Sequence, residues 1–205
     1  GPAGPVYPQG SLAAGNLYFK QPADTLASAT FVQEVPQNMY PFVISNACQT
    51  ARYNLSTSFG NTMLITPDRG AVGYIGCSND SYWNEDFYWA VGVGNITSDP
   101  KYSETGLGAL DRLFHTNGES PSDWYLSMGQ VNYAGNLAVS ESTSTRKRYY
   151  WETYTLLGDP STIPFIGTPE PFNITLPDTL PNGMTSFSMN LPPFTYMAVS
   201  HFDTL

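Results

Sequence analysis

With 205 residues, 41% hydrophobic, 14% aromatic and 12% charged, the chain has material for a packed core and lacks the charge-rich, aromatic-poor make-up of a disordered polymer. A net charge of −9 argues against a nucleic-acid partner, which needs a basic footprint. Two cysteines are too few for a disulfide framework, no Cys/His spacing suits zinc, and no run approaches the ~18 apolar residues of a membrane span.

Residues 1–24 are rich in Gly, Pro and Ala and predict loop, with neither the basic start nor the long apolar stretch of a signal peptide. Residues 25–38 predict a short polar segment, at most one helical turn, closed by Pro36. Residues 40–47, YPFVISNA, are almost continuously apolar, as in a parallel strand covered on both faces. Residues 56–66, STSFGNTMLIT, place Phe59, Met63 and Leu64 at helical spacing behind a Ser/Thr cap. A turn at Pro67-Asp68-Arg69-Gly70 leads into a second strand, AVGYIGC, over 71–77. Strand, helix and strand in this order predict a right-handed βαβ unit.

The segment SNDSYWNEDFYWAVGVG predicts a polar-aromatic loop leading into a helix or strand. Residues 103–116 predict a helix with Leu107, Leu110, Leu113 and Phe114 on one side, and 121–139 a second with Pro121 in its first turn. A third, over 146–157, stops at Gly158-Asp159-Pro160, where Asp159 caps a turn. Arg146-Lys147-Arg148, flanked by Glu141 and Glu152, predicts a solvated helix end. Beyond 169 the texture changes: FNITLP and TSFSMNLP alternate apolar and polar residues, TYMAVSHF follows, and Pro171, Pro177, Pro181, Pro192 and Pro193 punctuate them. This predicts the opening strands of an antiparallel sandwich.

Cys48 and Cys77 both stand at the ends of predicted strands. In open α/β sheets ligands bind beyond the carboxyl ends of strands. Cys48 therefore reads either as a nucleophile displayed at the lip of the sheet or as a packed thiol, free Cys being among the most buried residue types. Parallel strands ending side by side also leave open a bridge between the two.

SNACQTARYN (45–54), GAVGYIGCSNDSYWNEDFYWAVG (70–92), AGNLAVS (134–140) and YYWETYTLLGDPS (149–161), in that order, resemble the C-terminal half of the catalytic domain of gingipain-type cysteine peptidases, most of all its lysine-specific branch. FNITLPDTLPNGMTSFSMN (172–190) is similar to the start of the immunoglobulin-like domain that trails that catalytic domain. The resemblance implies an α/β, caspase-like, partly parallel sheet flanked by helices over 25–168, incomplete in this chain, and the start of an immunoglobulin-like β-sandwich over 169–205. It implies a secreted or surface bacterial endopeptidase that cleaves a polypeptide after basic residues, Lys favoured.

The resemblance also implies residue roles. Cys48 falls on the nucleophile, with the backbone N–H groups of Cys48 and Gly15 on the oxyanion. Trp83, Asp86 and Asn46 fall on the substrate pocket, and Cys77 reads as a packed thiol. No cofactor is required; calcium is a candidate structural ion, with Asn46 and Asn61 as candidate ligands. The family's His-Gly pair falls at Ala14-Gly15, so Ala14 stands where the base should be. His115, on a predicted helix, and His201, in the trailing segment, match no catalytic position. An inactivating substitution, a natural pseudopeptidase, or a base on another chain each account for this. Uncovered sheet edges imply an upstream chain or segment completing the domain.

Competing readings stay open at this stage. Asp86 fits a first-turn helix charge, and Trp83 fits core packing. A non-catalytic relative binding peptide or a partner chain fits the missing base. Trp83, Tyr88 and Trp89 would serve a glycan-binding module.

Overall fold

A computed structural model describes residues 17–19, 40–106, 108–114 and 118–164, with isolated positions at 37 and between 183 and 195. The chain separates into two compact units, Gly1–Thr168 and Pro169–Leu205. Apart from those isolated positions, the predicted sandwich strands and the 25–38 segment lie outside the described residues.

The first unit is built on a four-stranded sheet in sequential order. β1 (Leu17–Phe19), β2 (Phe42–Ser45) and β3 (Gly73–Cys77) run parallel. β4 (Tyr154–Gly158) runs antiparallel along β3, with Tyr154 opposite Cys77 and Gly158 opposite Gly73. The helices are α1 (Phe59–Ile65), α2 (Trp83–Ala90), α3 (Tyr102–Thr105), α4 (Ala109–Phe114), α5 (Met128–Glu141) and α6 (Lys147–Thr153).

The strand FVIS is buried throughout because its side chains alternate between two cores. Phe42 and Ile44 join Ile75, Cys77 and Tyr154 on one face, against Trp89 of α2, Leu113 of α4, Val131 and Val139 of α5, and Tyr150 of α6. Val43 and Tyr74 pack on the other face with Ala51, Ala71 and Met63 of α1. Trp89 is fully buried, and its indole N–H donates to Asn136 Oδ1 at 3.2 Å. Gly135 lets α5 approach that ring: a Cβ there would stand 2.1 Å from Trp89 Cε2. Ala in place of Gly usually stabilises a helix by up to ~1 kcal/mol, but overpacking a rigid core costs about 1–3 kcal/mol. Gly135→Ala is therefore expected to lower the stability measured by urea denaturation; an unchanged midpoint would show that Trp89 has room to move.

Four predicted elements differ from the structure. Residues 17–19, read as loop, form β1. The helix over 103–116 breaks in two because Gly106 takes φ 64° and Gly108 fits tightly against Val91. The helix over 121–139 starts late: Pro121–Asp123 form a 3₁₀ turn, and α5 begins at Met128. Ser127 caps it, accepting from Gln130 N–H, while the Gln130 side chain returns to the Ser127 N–H. The helix over 146–157 ends at Thr153, and YTLLG becomes β4 because pairing with β3 satisfies its backbone.

Candidate functional site

β2 and β3 end at Ser45 and Cys77, and the chain leaving each builds the site. The turn after β2 carries Cys48 and the loop after β3 carries Ser81. The Ser81 N–H donates to Cys48 Sγ at 3.3 Å, and Ser81 Oγ lies 3.7 Å from the same sulfur. Cys48 is exposed, Cys77 is fully buried, and both thiols are free. Burial pushes the Cys77 thiol up to about 11. The structure thus separates two cysteines that both follow strands, one exposed and one packed, and no bridge joins them.

Gln49 fixes the Cys48 turn. It holds φ 59°, uncommon for a residue with a Cβ. Its N–H donates to Asn79 O at 2.7 Å and its Nε2 to Asp80 Oδ1 at 2.8 Å, while Arg52 donates to its Oε1 at 3.2 Å. These bonds tie the Cys48 turn to the loop that carries Ser81. On the Gln49 side, an open groove of about 420 Å³ runs between Arg52, Tyr53, Asn79 and Thr153.

Asp86, in the first turn of α2, does not cap the helix with its side chain. Its Oδ2 accepts from Ser81 Oγ at 2.8 Å. Its Oδ1 accepts from Tyr150 OH at 2.8 Å and faces Tyr154 OH at 3.3 Å. Burial raises the carboxyl above its usual 3.8, and the three hydroxyls oppose that rise only in part. Asn46 closes the network: its Oδ1 accepts from Tyr154 OH, and its Nδ2 donates to Asp86 O at 3.2 Å. Cys48, Ser81, Asp86 and Asn46 are thus one connected group. Burial, then the Asp86 charge, keeps the Tyr150 and Tyr154 hydroxyls protonated.

Trp83 is 68% exposed at the start of α2, so core packing does not explain it. Trp89 is fully buried, which removes it from any glycan-stacking surface. Arg146, read as solvated, lies 3.9 Å over the Tyr82 ring and pairs with Glu85 at 3.5 Å. Asp159 does hold its turn, accepting from Ser161 N–H at 2.8 Å and Ser161 Oγ at 2.7 Å.

As calcium ligands the candidates fit poorly. The Asn61 amide donates to the carbonyls of Arg52, Tyr53 and Leu55, the oxygens a hard cation would seek, and Asn46 Oδ1 accepts from Tyr154.

Ala14, Gly15, His115 and His201 lie outside the described residues. Ser81, Tyr150 and Tyr154 were not singled out from sequence. The i, i+4 spacing of the two tyrosines was the available signal, and it was hidden by the change from α6 to β4 between them.

The sequence matches Peptidase family C25 over residues 13–165. This chain belongs to peptidase family C25. It is 34% identical over 187 residues to Lys-gingipain of Porphyromonas gingivalis, a match covering 87% of this chain and 10% of that protein. It thus spans about a tenth of the length of the curated relatives it matches. A solved structure described as a protease superposes with a TM-score of 0.69 at 30% identity, covering 84% of this chain and 39% of that one. The Arg-specific cysteine proteinase gingipain R superposes with a TM-score of 0.58 at 18% identity, over 80% of this chain and 36% of that one. The C25 chain has the expected caspase-like architecture, a mixed sheet covered by helices, and corresponds to the C-terminal half of the family's catalytic domain.

Proposed function

We propose that this chain is the nucleophile-bearing part of a secreted bacterial cysteine endopeptidase cleaving after basic residues, lysine favoured. One observation carries the reading: an exposed Cys48 at the end of β2, joined through Ser81 to the partly buried carboxylate of Asp86. The relatives named Lys-gingipain support lysine as the preferred side chain.

In this mechanism the Cys48 thiolate attacks the scissile carbonyl carbon, forming a C–S bond and sending the π electrons to oxygen. The Cys48 N–H holds that oxyanion. Collapse expels the amine, which takes a proton from the base, and water then hydrolyses the thioester. Asp86 faces the ammonium of the residue before the cleaved bond, Asn46 braces Asp86, and exposed Trp83 flanks the cleft. As the resemblance implies, we assign the second oxyanion donor to the Gly15 N–H.

Both histidines of the sequence lie outside the described residues, so the base has no described candidate. We assign it to chain outside the described part, around Ala14 or on an upstream segment or partner. The same observation favours a second reading, a non-catalytic relative that binds peptide in the same cleft.

Intact-mass analysis with a lysine chloromethyl ketone tests the first part. At alkaline pH a thiol ionises without help from a base. Cys48 should be labelled faster than by the alanine analogue, with Cys77 untouched. Equal rates, or labelling of Cys77, would remove the basic pocket from beside Cys48.

A further inference from the structure

We infer that Tyr150 and Tyr154 set the preference of this site for lysine over arginine by occupying one oxygen of Asp86. The inference rests on Asp86 being the pocket acid.

The two carboxylate oxygens have different surroundings. Oδ1 is turned toward two tyrosines whose side chains are almost wholly buried. Tyr150 OH accepts from Tyr82 N–H at 2.9 Å, which orients its own proton to Oδ1, 2.8 Å away, over Tyr82 O at 3.1 Å. Tyr154 OH lies between Asn46 Oδ1 and Asp86 Oδ1. The rings stack on each other with centroids 5.2 Å apart and 12° between planes, and Tyr154 also lies against Trp89. Neither hydroxyl can swing away without disturbing the core. Oδ2 is turned the other way, to Ser81, whose N–H touches the exposed Cys48.

An ionised carboxylate oxygen has two lone-pair sites. On Oδ1 one accepts the Tyr150 proton and the other is covered by the Tyr154 hydroxyl oxygen, whose own proton goes to Asn46 Oδ1; on Oδ2, among the described residues, one remains beside Ser81. A guanidinium binds carboxylates best as a fork across both oxygens, which this arrangement denies it. An ammonium is a point charge with three donors and needs only Oδ2, with Ser81 Oγ beside it. The tyrosines therefore disfavour arginine without touching it.

The test needs no turnover. Cys48 alkylation by iodoacetamide is followed by intact mass while Nα-acetyl-lysinamide or Nα-acetyl-argininamide is titrated in; the probes differ only in the side chain. In the wild-type chain the lysine probe should protect Cys48 at about ten-fold lower concentration. Tyr154→Phe, which leaves the Tyr82 N–H bond intact, should shrink that ratio about three-fold, and Tyr150→Phe with Tyr154→Phe should shrink it further by improving protection by arginine. Continued silence of Cys77 reports the fold; if the double variant exposes Cys77, Tyr154→Phe alone decides. An unchanged ratio in folded tyrosine variants, with Asp86→Asn abolishing protection by both probes, would overturn this inference and leave Asp86 as the pocket acid. Protection by lysine surviving Asp86→Asn would overturn both.

Discussion

Asp86→Asn is expected to lower catalytic efficiency on lysine substrates by roughly ten- to a thousand-fold, about 1.4 to 4 kcal/mol of transition-state stabilisation, once the proposed base is supplied. Substrates with a neutral residue at that position should change little. The warrant is the setting of the carboxylate: it is partly desolvated, where a charge pair is stronger than in bulk water. The substitution keeps the shape and removes the charge. Steady-state kinetics on paired lysine and alanine peptides check it; equal losses on both would mean that Asp86 supports the fold of the site and not its selectivity.

The same residue makes a prediction of opposite sign for stability. Burial raises its folded carboxyl above 3.8. A group with a raised folded value contributes stability that is fully present below the unfolded value and lost as pH rises through the folded one. Wild type should therefore lose ground to Asp86→Asn as pH rises from about 4 through the raised folded value, with the gap in Tm constant above that. A Tm gap that closes with rising pH would mean that hydroxyl donation outweighs burial.

The second large effect concerns turnover. The 205-residue chain alone should hydrolyse lysine peptides several orders of magnitude more slowly than the same chain supplied with the proposed base, and Cys48→Ala should remove what remains. A free thiol with a pKa near 8.5 is only a few per cent thiolate at neutral pH, and a neighbouring imidazole is the usual remedy. Robust, Cys48-dependent turnover by the isolated chain would show that it carries its own base.

Some of this was legible in the residues. FVIS announces a doubly covered parallel strand because Phe42, Val43 and Ile44 are apolar in succession, and the sheet buries all four positions. Cys48 reads correctly as a strand-end thiol because Ser45-Asn46-Ala47 breaks the apolar run. YTLL was harder: next to helix-forming RKRYYWE, local propensity extends the helix, and only pairing with distant β3 makes it a strand. Asp86 shows the same limit. Local sequence offers a helix charge, whereas its partners Tyr150 and Tyr154 come from the far end of the fold. Ser127 is the opposite case, since its Ser-x-x-Gln box was visible but Pro121 drew the boundary instead.

The late arrival of β4 governs when this site can exist during synthesis. β2, α1 and β3 are close in sequence and close only short loops, so they can form as soon as they are made. The bond from Tyr154 to Asp86 joins residues 68 apart, and that from Tyr154 to Asn46 joins residues 108 apart. Long loops of this kind close last, since their entropy must be lost before any contact forms. A nascent chain that has already displayed its thiol therefore still lacks the braces of its acidic pocket. Selectivity for a basic side chain should mature after the thiol becomes reactive, and pulse-labelling during refolding would resolve the two as separate phases.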